Sequence, residues 1–368
     1  MQEFQTHKSD FYKHRLVDIE AKSLADGEVR ARIDRFAFTA NNITYAVAGE
    51  LISYWKFFCA TSDKNAQNGD EQTEQWGIIP VWGFADIVES KCNELPEGER
   101  LFGYFLPSQE LIMRPSKVSP TAFIENSDHR TQLPITYNLY RRVLAEANYS
   151  RDHDNQRILL HVLHLTAFCL QDKLQSNDWY GAEQVLILSA SSKTSSGLAY
   201  GLSATKDAPQ TIGLTSQNNF DLVRSMDAYQ KVYTYNELES VDDSRPTIII
   251  DMSGNTQLMR QLHEHLGDNM RFTYNVGLTH WQQARTNEGL MEKRSEQFFA
   301  PSHIQQRIKK LGHQQWEERS LAYVRHSIRK TGEWLKIKEL NGLEGLKLVY
   351  EDVCAGRNKA NEGIIIKM

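Results

Sequence analysis

The sequence predicts an α/β protein in which a doubly wound parallel-sheet domain is joined to a β-rich domain. Three observations predict it. First, the apolar run Val185-Leu186-Ile187-Leu188 leads straight into a loop of small residues, Ser189 to Gly197, and then a helix start. A strand buried on both faces of a parallel sheet reads this way. Second, apolar runs at Thr211–Leu214, Lys231–Tyr235, Thr247–Asp251 and Phe272–Val276 recur with helix-like segments between them, the rhythm of a doubly wound sheet. Third, the opening third of the chain carries short alternating segments and turns, such as Gly27–Ile33 and Trp76–Ala85, as β-rich domains do.

The loop after the first of these strands carries the chemistry. Small side chains at Ser189, Ser191, Ser192, Thr194, Ser195 and Gly197, with Lys193 the one long, cationic residue among them, let backbone N–H groups approach an anion at the start of the following helix, which is how a nucleotide phosphate is bound. The usual dinucleotide loop is glycine-rich; here serines stand at most glycine positions and only Gly197 remains. An ordinary strand-to-helix connection is the competing reading. Strand ends in such sheets converge on one crevice, so Ser189, Thr215, Asp251 with Ser253 and Gly254, and Asn275 with Gly277 are expected together.

The second strand end bears on which nucleotide would fit. An NAD site usually has Asp or Glu there for the ribose hydroxyls, whereas this chain reads Gly213-Leu214-Thr215-Ser216-Gln217-Asn218-Asn219. A missing carboxylate favours the 2′-phosphate of NADP(H), with Thr215 and Ser216 in the turn and Lys193 or Arg224 supplying positive charge. ATP binding through Ser192-Lys193-Thr194 is disfavoured, because Ile187 and Ser192 stand where a P-loop has glycines. Absence of a Tyr-x-x-x-Lys pair after the fourth strand argues against short-chain dehydrogenase chemistry, and the β-rich flanks against a methyltransferase.

At 368 residues, 40% of them hydrophobic, the chain can bury two separate cores. A net charge of −5 leaves no footprint for nucleic acid or an anionic membrane. No apolar run is long enough to span a bilayer, and the first residues lack the apolar centre of a signal peptide, so a cytoplasmic location is expected. Cys59, Cys92, Cys169 and Cys354 are isolated, without the spacing of a structural zinc lobe. A metal assembled from Cys59 with His161 or His164 is the minority alternative.

Among the remaining elements, Ser62–Glu74 is polar and acidic and reads as a surface loop. Asn155–Leu174 has apolar residues at helical intervals and is expected to cross from the first domain into the second. Tyr137, Tyr140 and Tyr149 fall at helical spacing in a segment expected to pack against the domain surface. Glu333–Ile337 and Gly363–Met368 read as strands flanking an amphipathic helix at Leu343–Ala355.

Four segments in order carry a resemblance: TANNITYAVAG at Thr39–Gly49, HLTAF at His164–Phe168, the strand-loop-helix after Gln184, and GLEGLKLVYEDVCAGRNKANEGIIIKM at Gly342–Met368. Together they resemble the medium-chain dehydrogenase/reductase superfamily, on its zinc-independent, quinone oxidoreductase-like side and in a bacterial branch. The resemblance implies a GroES-like substrate domain from 1–154, with 120–154 an insert, a Rossmann domain from 155–300, and a return to the first domain from 301–368. It implies hydride transfer from NADPH to a quinone- or enone-like substrate. Thr166 would lie beside the nicotinamide carboxamide. Without a metal, Asn41, Asn42 and Tyr45 are the candidate donors to a developing oxyanion, and a phenol of pKa ~10 donates throughout the physiological range. Thr44-Tyr45 precedes Gly49 at the family spacing, but Ile43 replaces the usual Asp. For His164 and its neighbour His161 the functional reading is a proton donor or polar lid, and the structural one a hydrogen bond to a backbone carbonyl; for Tyr45 the structural reading is core packing. The family also implies a homodimer formed through an edge strand at Arg271–Gly277. A non-catalytic NADP-binding sensor or interaction protein is the alternative function.

Overall fold

The computed structural model describes residues 1–50, 53–63, 73–277 and 294–368. Its strands and helices run β1 (Gln2–His7), β2 (Asp10–Asp18), β3 (Val29–Ala37), α1 (Ala40–Val47), β4 (Trp76–Gly77), β5 (Val81–Ser90) and β6 (Arg100–Phe105). There follow β7 (Glu110–Met113), β8 (Pro115–Ser116), β9 (Ala122–Glu125), β10 (Leu139–Arg142), α2 (Asp154–Ser176), β11 (Gln184–Leu188), α3 (Lys193–Ser203), β12 (Gln210–Thr215) and α4 (Phe220–Ser225). The chain continues with β13 (Lys231–Thr234), β14 (Thr247–Asp251), α5 (Thr256–Leu266), β15 (Met270–Val276), β16 (Ser295–Phe298), α6 (Ala300–Leu311) and α7 (His313–Gly332). It ends with β17 (Lys336–Asn341), α8 (Gly342–Cys354) and β18 (Glu362–Lys367).

Two compact units form, one from Met1–Leu159, Ile337–Asn358 and Glu362–Met368, the other from Leu160–Lys336 and Lys359–Asn361. The first is β-rich. Its larger sheet has the order β17-β18-β3-β5-β6-β10-β9-β8, with β7 also paired to β3, and a smaller sheet has the order β2-β1-β4. Strand β3 alternates in the predicted way, burying Val29, Ala31 and Ile33. All six residues of β6 are buried, because β5 and β10 flank it on both edges.

In the second unit the described residues form a sheet of order β13-β12-β11-β14-β15-β16 whose paired strands are parallel. Residues of β11 facing one side, Val185 and Ile187, join a core with α2, α3 and α7, and those facing the other, Leu186 and Leu188, join a core with α5. A sheet covered on both faces explains the unbroken apolar run. The architecture is the expected one, a Rossmann-type doubly wound sheet plus a GroES-like β-rich unit.

Four details differ from the sequence reading. Strand β15 is not an edge: it pairs with β14 on one side and β16 on the other. The chain rejoins the β-rich unit at Ile337 rather than 301, because α6 and α7 are held in the second unit by Asp172 of α2, which pairs with His303, Arg307 and Arg319. Glu333–Leu335 lie outside β17. The Tyr137–Tyr149 segment forms β10 and short 3-10 turns, not a surface helix, and it is drawn inward: Tyr140 is fully buried, and the Tyr149 hydroxyl accepts from Arg100, whose buried guanidinium also binds Asp34, Asp86 and Asp154. The Ser62–Glu74 reading falls mostly outside the described residues.

Candidate functional site

In the second unit the β11 to α3 connection sits at the C-terminal end of the parallel strands, between neighbours β12 and β14. The fold rule places ligands at such a switch point. Ser189 has φ 51°, in the left-handed region, the conformation for which the glycine loops of nucleotide-binding domains use glycine. Its N–H donates to the Tyr235 hydroxyl at 3.2 Å. Ser192 caps α3: its Oγ accepts from the Ser195 N–H at 3.1 Å and donates to Ser195 Oγ at 2.8 Å. The Ser195 hydroxyl in turn reaches the Leu188 carbonyl. Ser191 Oγ accepts from Asn219 Nδ2 at 3.1 Å, which ties the turn after β12 to the loop after β11. Lys193 Nζ donates to the Ala360 carbonyl at 3.4 Å, and Thr194 is half-buried in the first turn of α3.

The serine hydroxyls of the loop are therefore largely used inside the loop. What such a loop offers an anion is the start of an eleven-residue helix, whose first N–H groups lack intrahelical partners and carry the positive end of the helix dipole. Thr215 is 1% exposed and its hydroxyl has no hydrogen-bond partner among the described residues; Ser216 beside it is half-buried and caps a short 3-10 turn. Asp251, at the end of β14, accepts from the Ser253 N–H and hydroxyl and from the Gly254 N–H, so Ser253 is engaged in a local turn. One strand further out, Asn275 donates to Ser295 and the Gly277 carbonyl accepts from Gln297.

Gly197 plays a packing role. A Cβ there would stand 2.7 Å from Cδ2 of the His164 ring, so the glycine lets α2 and α3 approach closely. His164 is fully buried against Gly197 in the core between α2 and α3. Burial, more than the nearby Lys193, drives its pKa down to about 3, with the Lys193 backbone acting the other way. His164 is thus a neutral packing group rather than an exposed donor, with the Lys193 backbone as its nearby polar neighbour, in keeping with the structural reading. Thr166, half-buried two residues on, donates to the Val162 carbonyl at 3.0 Å.

In the β-rich unit α1 separates the three expected donors. Asn42 is spent on structure: its Oδ1 accepts from the Thr39 N–H, closing the helix cap, and its Nδ2 donates to the Pro80 carbonyl. Asn41 and Tyr45, one turn apart on α1, meet: Asn41 Nδ2 donates to the Tyr45 hydroxyl at 2.7 Å, and Trp82 Nε1 donates to the same oxygen at 3.1 Å. Tyr45 packs among Tyr54, Tyr104 and Tyr137, with ring centroids 4.7, 5.5 and 6.3 Å away. Tyr54, Tyr104, Trp82 and Tyr235 were not picked out as site residues from the sequence, and Tyr137 was read as packing against the domain surface. Tyr54 has a local signal, standing within one loop of the Thr39–Gly49 segment; Trp82 and Tyr104 are brought together by the pairing of β5 with β6.

Among the described residues no group of three or more His, Cys, Asp or Glu is arranged to hold a metal ion, and no helix is long and apolar enough to cross a membrane.

Residues 36–359 match the family described as a protein of unknown function (DUF2855). The chain belongs to this family. No curated protein matches the DUF2855 chain. Solved structures share its fold over the whole length. CurA from Vibrio vulnificus, in complex with NADPH, aligns with a TM-score of 0.64 at 11% identity, covering 100% of this chain and 99% of that one. The JamJ enoyl reductase in its apo form aligns at 0.57 and 13%, covering 100% and 99%. The quinone oxidoreductase from Thermus thermophilus, solved also with NADPH, aligns at 0.54 and 12%, covering both chains completely. At such identities the likeness shows the fold of the DUF2855 chain.

Proposed function

We propose that this protein is an NADP(H)-dependent, metal-independent reductase of the quinone oxidoreductase type that delivers hydride to a quinone- or enone-like substrate. One observation carries the reading: a strand buried on both faces ends in Ser189, in the left-handed conformation, and is followed within four residues by the capped start of α3 at the switch point of a parallel sheet. The turn after β12 holds Thr215, Ser216, Gln217, Asn218 and Asn219 without a carboxylate, which favours a 2′-phosphate over a bare ribose. Structures of the same fold solved with NADPH lend support.

When bound, the nicotinamide supplies the hydride. The chain's part is to cradle the diphosphate with the amides of Ser191 and Thr194 at the head of α3, to face the ribose with Thr215 and Ser216, and to hold the nicotinamide end with Thr166, Ser253, Asn275 and Gly277. In the β-rich unit Tyr45, oriented by Asn41 and Trp82, is the donor for the substrate oxygen. The protein acts as a cytoplasmic homodimer in this reading, which light scattering of the purified chain tests.

Calorimetric titration of the cofactor-free protein with NADPH and then NADH is the deciding experiment. Micromolar binding with preference for NADPH is expected, followed by NADPH oxidation when 1,4-naphthoquinone or 2-cyclohexen-1-one is added. Absence of binding to either nucleotide overturns the reading. Tight binding without turnover favours a sensor on the same scaffold.

A further inference from the structure

We propose that Tyr229 and Tyr235 are positioning residues of the nucleotide site, their hydroxyls bracing the loop after β11 in the form that receives a diphosphate. This role rests on the nucleotide-binding reading above and adds to it the side chains that hold the cradle in place.

Two residues of the loop are fully paired along their backbone. The Ser189 N–H donates to the Tyr235 hydroxyl at 3.2 Å, and the Ser189 carbonyl accepts from the Ser192 N–H at 2.8 Å. The Ala190 N–H donates to the Leu214 carbonyl at 3.0 Å, and the Ala190 carbonyl accepts from the Tyr229 hydroxyl at 2.8 Å. Two of these four bonds come from tyrosine side chains, and their directions are fixed, because an N–H only donates and a carbonyl only accepts. Tyr235 is the acceptor of the brace and Tyr229 the donor.

Both tyrosines flank β13, which is separated from β11 by β12. Tyr229 precedes β13 and reaches the loop because Gly213 of β12 has no side chain: a Cβ there would stand 2.9 Å from Cδ1 of the Tyr229 ring and 3.0 Å from the Ala190 Cβ. The ring lies where that side chain would be. Tyr235 follows β13. Thr234 pairs with Thr215 at the end of β12, so the next residue stands beyond the strand ends, on the side of the loop. Glu237 fixes this turn by accepting from the Thr234 N–H and hydroxyl, both at 2.9 Å, and the Tyr235 ring packs on the core that contains Leu186 and Leu188.

The brace acts where the chain is strained. Ser189 stands at φ 51°, a conformation that costs a residue with a Cβ roughly 1–2 kcal/mol. One hydroxyl holds its N–H and the other holds the carbonyl of the next residue. Beyond this fixed pair, the N–H groups of Ser191 and Thr194 have no hydrogen-bond partner among the described residues. Amides that are already in place need no ordering when an anion arrives, and affinity is higher by that cost.

The test uses the full-length, nucleotide-free protein, with inorganic pyrophosphate as the probe of the loop and NADPH as the probe of the whole site. Hydrogen exchange over 189–195 is followed by mass spectrometry and NADPH affinity by calorimetry, and each variant is melted. In the wild type, pyrophosphate should slow exchange of this segment. Tyr229→Phe and Tyr235→Phe should each speed its exchange in the free protein and weaken NADPH ~3- to 10-fold. With 1,4-naphthoquinone as acceptor, the KM for NADPH should rise by the same factor while kcat at saturating NADPH stays unchanged. Tyr233→Phe, in β13 between the two, should alter neither exchange nor affinity.

If both variants hold NADPH as tightly as the wild type, even while melting lower, the hydroxyls serve stability alone and the brace is overturned; if one variant fails to fold, the other decides. Wild-type exchange that pyrophosphate leaves unchanged overturns it as well. Pyrophosphate protection without NADPH binding overturns the reductase reading alone, and the brace then stands if the two variants lose that protection and falls if they keep it.

Discussion

The serine-rich loop of the parallel-sheet unit and the tyrosine cluster of the β-rich unit satisfy their polar groups in opposite ways. Around the loop, side chains satisfy one another: Ser192 with Ser195, Ser191 with Asn219, Asp251 with Ser253. The backbone at the head of α3 is left to meet a ligand. In the cluster the side chains are the less satisfied party, the Tyr104 hydroxyl having no partner among the described residues while Tyr45 accepts from both Asn41 and Trp82. A site read by backbone amides tolerates many side chains and is chemically general, as a diphosphate cradle is. Hydroxyls that must find individual partners depend on individual residues.

The largest effect should come from the packing that supports the loop. Gly197→Ala places a methyl group 2.7 Å from the His164 ring and should cost roughly 1–3 kcal/mol of stability, the usual range for overpacking. Thermal or urea melts read this directly. In a His164→Ala background the same substitution should cost little; an equal cost in both backgrounds would place the conflict elsewhere.

Acid titrates the same support. The pKa of His164 is lowered to about 3 in the folded protein, against ~6.5 when unfolded. Between those values the unfolded chain binds a proton that the folded chain does not. Stability therefore falls as pH drops through ~6.5, by about 2 kcal/mol near pH 5, and levels off only below the folded value. His164→Leu should flatten that part of the stability profile. An unchanged slope would assign it to other groups, His263 among them, whose pKa burial also lowers.

On the ligand side, Ser216→Asp tests whether the turn after β12 meets a phosphate. Ser216 is the better position, because Thr215 is buried and a carboxylate there would harm folding. NADPH should bind about tenfold more weakly, a change of ~1.4 kcal/mol, with NADH little affected. Equal losses for the two nucleotides would remove the 2′-phosphate from this turn.

The smallest effect belongs to Ser189→Gly. Relief of the left-handed conformation is offset by the entropy of glycine, so stability should change by less than ~1 kcal/mol and nucleotide binding should persist. A large loss of NADPH affinity would show that the Ser189 side chain, held near Tyr235, takes part in the cradle and would blur the contrast between the two regions.

The parallel sheet was legible in the sequence because burial on both faces leaves an unbroken apolar run, and β14 falls on Thr247–Asp251 as read. The loop was legible because small residues directly after such a run have few other uses. The sequence also placed α2 and α8 to within two residues at each end, since amphipathic spacing is a local property. Long-range pairing was not legible. That β15 lies inside the sheet depends on a four-residue strand, β16, with little pattern of its own.

The candidate donors divide along the same line. Asn41, Asn42 and Tyr45 are neighbours on one short helix, yet rotation about its axis sends the Asn42 amide to the Pro80 carbonyl and brings Asn41 to Tyr45. His164 could be read from sequence as a donor or as a hydrogen-bonded core residue, and its burial against Gly197 beside the Lys193 backbone favours the second. Tyr54, Tyr104 and Tyr137 come from a 3-10 turn, a central strand and another 3-10 turn separated by tens of residues. By itself the sequence determined the periodicities, the place of the small-residue loop and the absence of a carboxylate after β12, because each is a property of neighbouring residues. Which hydroxyls are spent and which are left unpaired was decided by tertiary structure alone, because pairing depends on what the folded chain brings within hydrogen-bonding distance.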